Sequence, residues 1–205
     1  MINGIRRIGI YGGTFNPPHN AHVAAAEAFM RQMRLDYLYV IPASVPPHKE
    51  VEYGIDPYDR LRMCEIAFRD VPGVIVSDME LRREGKSYTV DTLRELAADD
   101  ARLFLLCGTD MILTLDKWHE AEEIFRLCYP IYVRRENDPL ISGRILSKIN
   151  EYSLKYNAIV RRIVTDPVEL SSTEVRRAVA DGRDVSDMVC PGVAEYIREK
   201  HLYGA

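Results

Sequence analysis

The sequence predicts an α/β protein: a doubly wound parallel sheet with a small helical subdomain at its C-terminal end. Three observations lead there. Residues 5–11 form an apolar run that stops at Gly12-Gly13 and gives way to the Ala-rich stretch 23–33, the pattern of strand, tight turn and helix. Leu103-Phe104-Leu105-Leu106 continues without a polar break, as a strand buried on both faces of a parallel sheet does. Strand-like runs alternate with helix-period segments to about residue 164, after which only helical signals remain. The expected organisation is one domain, with a sheet core over 1–168 and a helical part over 169–205.

Composition narrows the classes. The chain has 205 residues, 47% of them hydrophobic, and a chain of that length buries roughly 70% of its unfolded surface, so it needs no disulfide staples. A net charge of −4 and a pI near 5.8 do not suit a nucleic-acid binder. No apolar run approaches the length of a membrane span, and residues 1–7 lack the core of a signal peptide. Cys64, Cys107, Cys128 and Cys190 lie far apart in apolar contexts, as buried thiols of a reducing cytoplasm do. Whether the protein is a monomer or a homo-oligomer is left open.

The elements follow in order. After the first strand, a helix starts near His19. Residues 37–41 are aromatic and β-branched, a second strand, and Pro42, Pro46 and Pro47 then forbid a helix, leaving a stiff loop that carries Ser44, His48 and Lys49. A helix over 56–68 buries Leu61, Cys64, Ile66 and Phe68 and turns Arg60 and Arg62 to solvent. Residues 74–77 are a short strand and 78–86 a polar loop. Ser87-Tyr88-Thr89 opens another helix, with Ser87 or Thr89 as its cap. The strand over 102–107 ends at Gly108-Thr109-Asp110, where the carboxylate could meet ribose hydroxyls or cap a helix. Trp118 is the only tryptophan, set in a polar stretch, and could be an anchor or a stacking platform. A helix over 121–128, a strand over 129–134 ending in Arg134 and Arg135, an amphipathic helix over 139–156 and a strand over 158–164 complete the sheet core. A helix opening at Ser171 and a last one over 190–201 form the C-terminal part.

Two stretches carry chemistry. Gly12 and Gly13 let a ligand approach the backbone, and the helix after them points unpaired N–H groups and a partial positive charge at the turn. That is an anion site suited to phosphate. His19 and His22 share a face of the first helical turn and could both donate to it. Read alone, the turn could be only a turn, and the two histidines half of a zinc site without a recognisable third ligand. Ser171-Ser172-Thr173-Glu174 has capping-box spacing, and Arg176, four residues after Ser172, projects near the same helix start. This is either a plain capping box or a second anion site facing the first.

At these residues the chain resembles a family. Gly12-Gly13-Thr14-Phe15-Asn16-Pro17-Pro18-His19-x-x-His22 resembles the G-G-T-F-D-P-x-H-x-G-H signature of nucleotidylyltransferases, with Asn16 in place of Asp and Ala21 in place of Gly. The Pro-Pro-His-Lys loop, Ser87-Tyr88-Thr89-x-Asp91-Thr92-Leu93, Gly108-x-Asp110 with Trp118-His119 following, Ser171-Ser172-Thr173-x-Val175-Arg176 and the closing Leu202-Tyr203 are similar, in order, to the bacterial-type nicotinate-nucleotide adenylyltransferases. The resemblance implies a Rossmann-like sheet and transfer of an adenylyl group from ATP to nicotinate mononucleotide, giving nicotinate adenine dinucleotide and pyrophosphate. It implies that His19, His22 and Arg176 act on the phosphates. It implies that ATP is held by Gly12, Gly13, Thr14, Phe15, His19, His22, Gly108, Asp110, Ser171, Ser172, Thr173 and Arg176. The acceptor would meet Asn16, Ser44, Lys49, Tyr88, Thr89, Trp118 and Arg135. Mg²⁺ would ride on the triphosphate, with no dedicated protein site. Nicotinamide mononucleotide as acceptor, and a silent nucleotide sensor of the same fold, are the competing readings.

Overall fold

A computed structural model describes residues 5–44, 55–98, 100–133, 139–165 and 170–204. Six strands form one parallel sheet: β1 (Arg6–Gly13), β2 (Tyr37–Pro42), β3 (Val74–Val76), β4 (Ala101–Cys107), β5 (Cys128–Val133) and β6 (Arg161–Ile163), in the spatial order β3-β2-β1-β4-β5-β6. The chain winds from β1 outward to β3, crosses back beside β1 as β4, then winds outward the other way. β1 and β4 therefore flank the point where strand order reverses, and open α/β sheets bind ligands outside the carboxyl ends of the strands there.

Helices α1 (Asn20–Met33), α2 (Pro57–Ala67), α3 (Thr89–Leu96), α4 (Thr109–Thr114), α5 (Ala121–Leu127) and α6 (Pro139–Tyr156) cover the sheet. Successive side chains of a buried strand leave for opposite faces. In β4, Leu103, Leu105 and Cys107 pack with Val90 and Leu93 of α3, Ile124 of α5 and Tyr152 of α6, while Phe104 and Leu106 pack with Ala26 and Phe29 of α1 and Phe68 after α2. Gly9 belongs to the second face. An added Cβ would stand 2.5 Å from Leu35 Cδ1 and 3.0 Å from Phe29 Cε1, so the close seat of α1 on the sheet requires a glycine there.

The helical C-terminal part comprises α7 (Ser172–Ala180) and α8 (Pro191–Glu199). Val175, Val179, Val193 and Ile197 bury against Met63 of α2, and the Tyr196 hydroxyl donates to Asp59 of α2 at 2.7 Å.

Three expectations change. Arg60 is fully buried, not solvated, because α2 turns Arg60, Met63 and Cys64 inward on one stripe, whereas Arg62 is exposed and pairs with Glu65. Neither Ser87 nor Thr89 caps α3, because Tyr88 holds the cap position, and the Ser87 hydroxyl accepts instead from the backbone N–H of Ser44 at 3.1 Å. Gly108, not Asp110, precedes the first turn of α4. His48, Lys49, Arg134 and Arg135 lie outside the described residues. Among the described residues no helix is long and apolar enough to cross a membrane.

Candidate active site

The site is assembled at the carboxyl ends of β1, β2 and β4. The β1–β2 ladder runs to Gly13 opposite Pro42 and closes with Ala43 N–H donating to the Gly13 carbonyl at 2.9 Å. β1 pairs with β4 as far as Ile10 opposite Leu105, and each strand then runs on to its own glycine at the carboxyl end, Gly12-Gly13 after β1's pairing and Gly108 after β4. A Cβ at Gly12 or at Gly108 would meet nothing within 4 Å, so the backbone there faces open space on both sides of the switch point.

The turn after β1 is rigid for a reason the glycines do not supply. Its left-handed residue is Phe15, with φ 47°, a conformation that costs an ordinary L-residue about 1–2 kcal/mol. Burial of its ring offsets that cost: Phe15 is 2% exposed and meets Tyr11, His22 and Phe68 edge to face, at centroid distances of 5.3, 5.1 and 6.1 Å. Burying an aromatic ring is worth several times the strain.

His19 stands at the N-terminal cap of α1 in extended conformation. Its backbone N–H donates to His22 Nδ1 at 3.2 Å, and the two rings stack with centroids 3.7 Å apart. An Nδ1 that accepts puts the neutral ring's proton on Nε2, so His22 is fixed as a donor through Nε2. His19 is buried and His22 half-buried.

α7 docks on this turn from the far end of the chain. The Ser172 hydroxyl donates to the Pro17 carbonyl at 2.8 Å. Arg176, itself buried, donates from Nη1 to the Asn16 carbonyl at 2.9 Å and from Nη2 to Thr173 Oγ1 at 3.2 Å. The box at the start of α7 is complete: Glu174 N–H donates to Ser171 Oγ, and Ser171 N–H to Glu174 Oε2. The Ser171 hydroxyl and amide hold the pKa of the Glu174 carboxylate below its usual value. Thr173 is exposed beside them. The glycine turn and the start of α7, the two candidate anion sites of the sequence, thus meet.

Asn16 is only 4% exposed, and its side-chain oxygen accepts from the Tyr203 hydroxyl at 2.7 Å. Burial pushes that phenol far up, out of the titrating range. The side chain of Asn16 thereby ties the last residues of the chain to the glycine turn. At the other side of the site, Tyr88 and Trp118 are half-buried against the core formed with α3–α6, and the His119 ring lies over Tyr88 at 4.3 Å. Thr89 is half-buried, Asp110 exposed, and Ser44 held by Ser87. Ser87 also bonds Glu80, a buried carboxyl whose pKa is raised by burial, with Thr92 and Ser87 pulling it down.

Three residues of this region escape a sequence reading as site residues: Arg60, Tyr203 and Ser87. Arg60 leaves one signal, its place one helical turn before Met63 and Cys64. Ser87 and Tyr203 leave only their places in the Ser87-Tyr88-Thr89 and Leu202-Tyr203 stretches of the resemblance, which say nothing of their partners.

Residues 10–178 match a family model described as cytidylyltransferase-like. A protein of Synechococcus sp. (strain JA-3-3Ab) named "Probable nicotinate-nucleotide adenylyltransferase" is 36% identical over 200 residues, covering 97% of this chain and 95% of that protein. One of the same name from Citrifermentans bemidjiense is 38% identical over 211 residues, covering 96% of this chain and 98% of the relative. Among solved structures, Plasmodium falciparum nicotinic acid mononucleotide adenylyltransferase complexed with NaAD has a similar fold, with a TM-score of 0.76, 20% identity and 97% of each chain covered.

Proposed function

Because the chain belongs to the cytidylyltransferase-like family, and within it to the nicotinate-nucleotide adenylyltransferases, we propose the following reading of its site. The protein transfers the adenylyl group of ATP to the phosphate of nicotinate mononucleotide, forming nicotinate adenine dinucleotide and releasing pyrophosphate. The observation that carries the assignment of roles is the docking of α7 on the glycine turn, through Arg176 to Asn16 and Ser172 to Pro17.

The acceptor phosphate oxygen is already an anion, so it attacks the α-phosphorus of ATP without a general base. The P–O bond to the β-phosphate breaks, and pyrophosphate leaves with the electron pair. The protein's task is to bring two polyanions into line and to meet charge that grows on the leaving group. Alignment can supply roughly 7–11 kcal/mol, and a fixed donor aimed at developing charge about 3 kcal/mol.

The turn over Gly12, Gly13, Thr14 and Phe15, with its backbone open beside Gly12, receives the donor's phosphates. His19 and His22 contribute ring donors from the first turn of α1, with the helix dipole behind them. Ser171, Ser172, Thr173 and Arg176 bring the second helix start to the leaving pyrophosphate. Gly108 and Asp110 serve the nucleoside. Ser44 and Lys49 take the acceptor's phosphate, and Tyr88, Thr89, Trp118 and Arg135 the pyridine and its carboxylate, with Asn16 holding the turn between the two halves.

These are cations, hydroxyls and N–H groups rather than converging carboxylates, a donor set that fits an anion carrying its own metal. Mg²⁺ held by the triphosphate oxygens would neutralise their charge. The reading places the enzyme in the cytoplasm, where unpaired cysteines persist; all four thiols are free, three of them buried.

The test is stoichiometry. With ATP, Mg²⁺ and nicotinate mononucleotide, one dinucleotide should form per pyrophosphate released. Pyrophosphate without dinucleotide, or neither product from protein that binds ATP, would refute the reading, the second outcome pointing to a nucleotide sensor.

A further inference from the structure

Arg60 is the largest fully buried side chain among the described residues, and nothing in the reaction described above uses it. Its guanidinium lies between the ends of two adjacent strands. Nη1 donates to the carbonyl of Thr14, in the turn after β1, at 2.7 Å. Nη2 donates to the carbonyl of Ala43, after β2, at 2.7 Å, with Ser44's carbonyl at 3.4 Å. The β1–β2 ladder has ended one residue earlier, at the Ala43–Gly13 bond. Past that point no further backbone hydrogen bond joins the two chains among the described residues. The planar fork of Arg60 bridges them instead.

A planar guanidinium suits this place and few other groups do. Its donors leave in fixed directions, so two carbonyls that it bridges are fixed relative to each other, whereas an ammonium is a point charge with no such fork. Burying that charge is expensive. Desolvation lowers the pKa of Arg60, opposed by Cys64, Tyr203 and Asp56 nearby. Even so, guanidinium stays protonated inside proteins. Among the described residues no carboxylate forms an ion pair with Arg60: its acceptors are carbonyls alone. A fully buried, always-charged side chain that ties only backbone is a costly way to stabilise a fold. It is an effective way to set a distance.

We infer that Arg60 is a positioning residue, which fixes the donor-phosphate turn (Thr14) against the acceptor-phosphate loop (Ala43-Ser44) so that the attacking oxygen and the α-phosphorus meet in line. The inference rests on the assignment of those two segments to donor and acceptor. A displacement of 1 Å between reacting groups can lower turnover about 100-fold. Each substrate alone feels only its own half of the site. Arg60 therefore governs the coupling between halves rather than the affinity of either.

The experiment uses Arg60→Lys, which keeps the charge and loses the fork, with Arg60→Gln as the second variant. Pyrophosphate release, equilibrium binding of ATP, of nicotinate mononucleotide and of the dinucleotide product, and thermal unfolding are measured for each and for the wild type. In a folded variant, kcat should fall on the order of 100-fold. Affinities for ATP and for the mononucleotide should each stay within about threefold, while that for the dinucleotide, which spans both halves, should drop about tenfold or more. Turnover within about threefold of wild type overturns the inference. So does a parallel loss of all three affinities together with a lower melting temperature, or failure of both variants to fold, because Arg60 is then a residue of the fold alone. A wild type that releases no pyrophosphate refutes the assigned reaction instead.

Discussion

Gly9 and Gly12 stand three residues apart on β1, and the structure gives them opposite reasons for being glycine. An alanine at Gly9 would place its Cβ 2.5 Å from Leu35 Cδ1, 2.8 Å from Leu38 Cδ1 and 3.0 Å from Phe29 Cε1. Those three side chains are themselves buried, so they cannot swing into solvent. Overpacking of this kind costs about 1–3 kcal/mol, and alanine recovers about 0.5–1 kcal/mol over glycine in a strand. The net loss of about 0–2.5 kcal/mol, centred on about 1.2 kcal/mol, lowers the melting temperature by about 2–5 °C in a protein of this size. At Gly12 nothing lies within 4 Å of an added Cβ. Gly12→Ala should melt at the wild-type temperature or a few degrees above it, on the order of 1–3 °C. Its methyl group would occupy space that the phosphates need, so kcat/KM for ATP should fall by roughly 5- to 150-fold, the same 1–3 kcal/mol now charged to the complex. The assay is a thermal scan beside steady-state pyrophosphate release on both variants. If Gly12→Ala turns over like the wild type, the open space beside Gly12 is not where the phosphates lie. If Gly9→Ala loses activity without losing stability, the separation of core from site on this strand is wrong.

Other outcomes follow from the same geometry. His22→Ala and Arg176→Ala should each lower kcat about 100-fold or more, if each removes a contact made to the transition state; near-wild-type rates in both would overturn the assigned roles. Glu80 is raised by burial, so its protonated form favours the folded state: that contribution is complete below the ordinary glutamate value and is lost as pH climbs through the raised one. Glu80→Gln should therefore gain melting temperature over the wild type at pH 8 and gain less at pH 5, and a pH-independent difference would contradict the burial argument. Burial pushes the Cys107 thiol up to about 12 and those of Cys64 and Cys128 up as well. Because the thiolate is the reactive form, an aromatic disulfide reagent at pH 8 should label the half-buried Cys190 in the native protein, and the other three only after unfolding.

Much of this architecture is legible in the sequence, and the reason is local. The strands read out as apolar runs because a parallel sheet is buried on both faces. The helix starts at Asp56 and Ser171 read out because a capping side chain sits within three residues of the amide it satisfies. The parts that do not read out depend on partners far away in the chain. Arg60 looks like one of two solvated arginines until Thr14 and Ala43 are brought to it. Asn16 reads as a residue beside the acceptor, and nothing local to it announces Tyr203, which donates to its side chain from 187 residues later. Ser87 looks like a helix cap until Ser44 arrives. Phe15 carries the turn's left-handed conformation, which a glycine would take without steric cost, and its ring is buried against Tyr11, His22 and Phe68. Each is a polar or strained residue whose environment is made by tertiary contact, and residue type alone does not encode that.

The central claim is that a chain with these phosphate-directed turns makes a dinucleotide from an acidic pyridine nucleotide. The direct measurement is kcat/KM for nicotinate mononucleotide and for nicotinamide mononucleotide, in parallel, with saturating ATP and Mg²⁺. The account expects dinucleotide formation and a large preference for the acid, on the order of 100-fold, from the proposed pairing of the pocket with the carboxylate. Equal rates, or preference for the amide, would contradict the assignment of Thr89, Trp118 and Arg135 to the pyridine carboxylate.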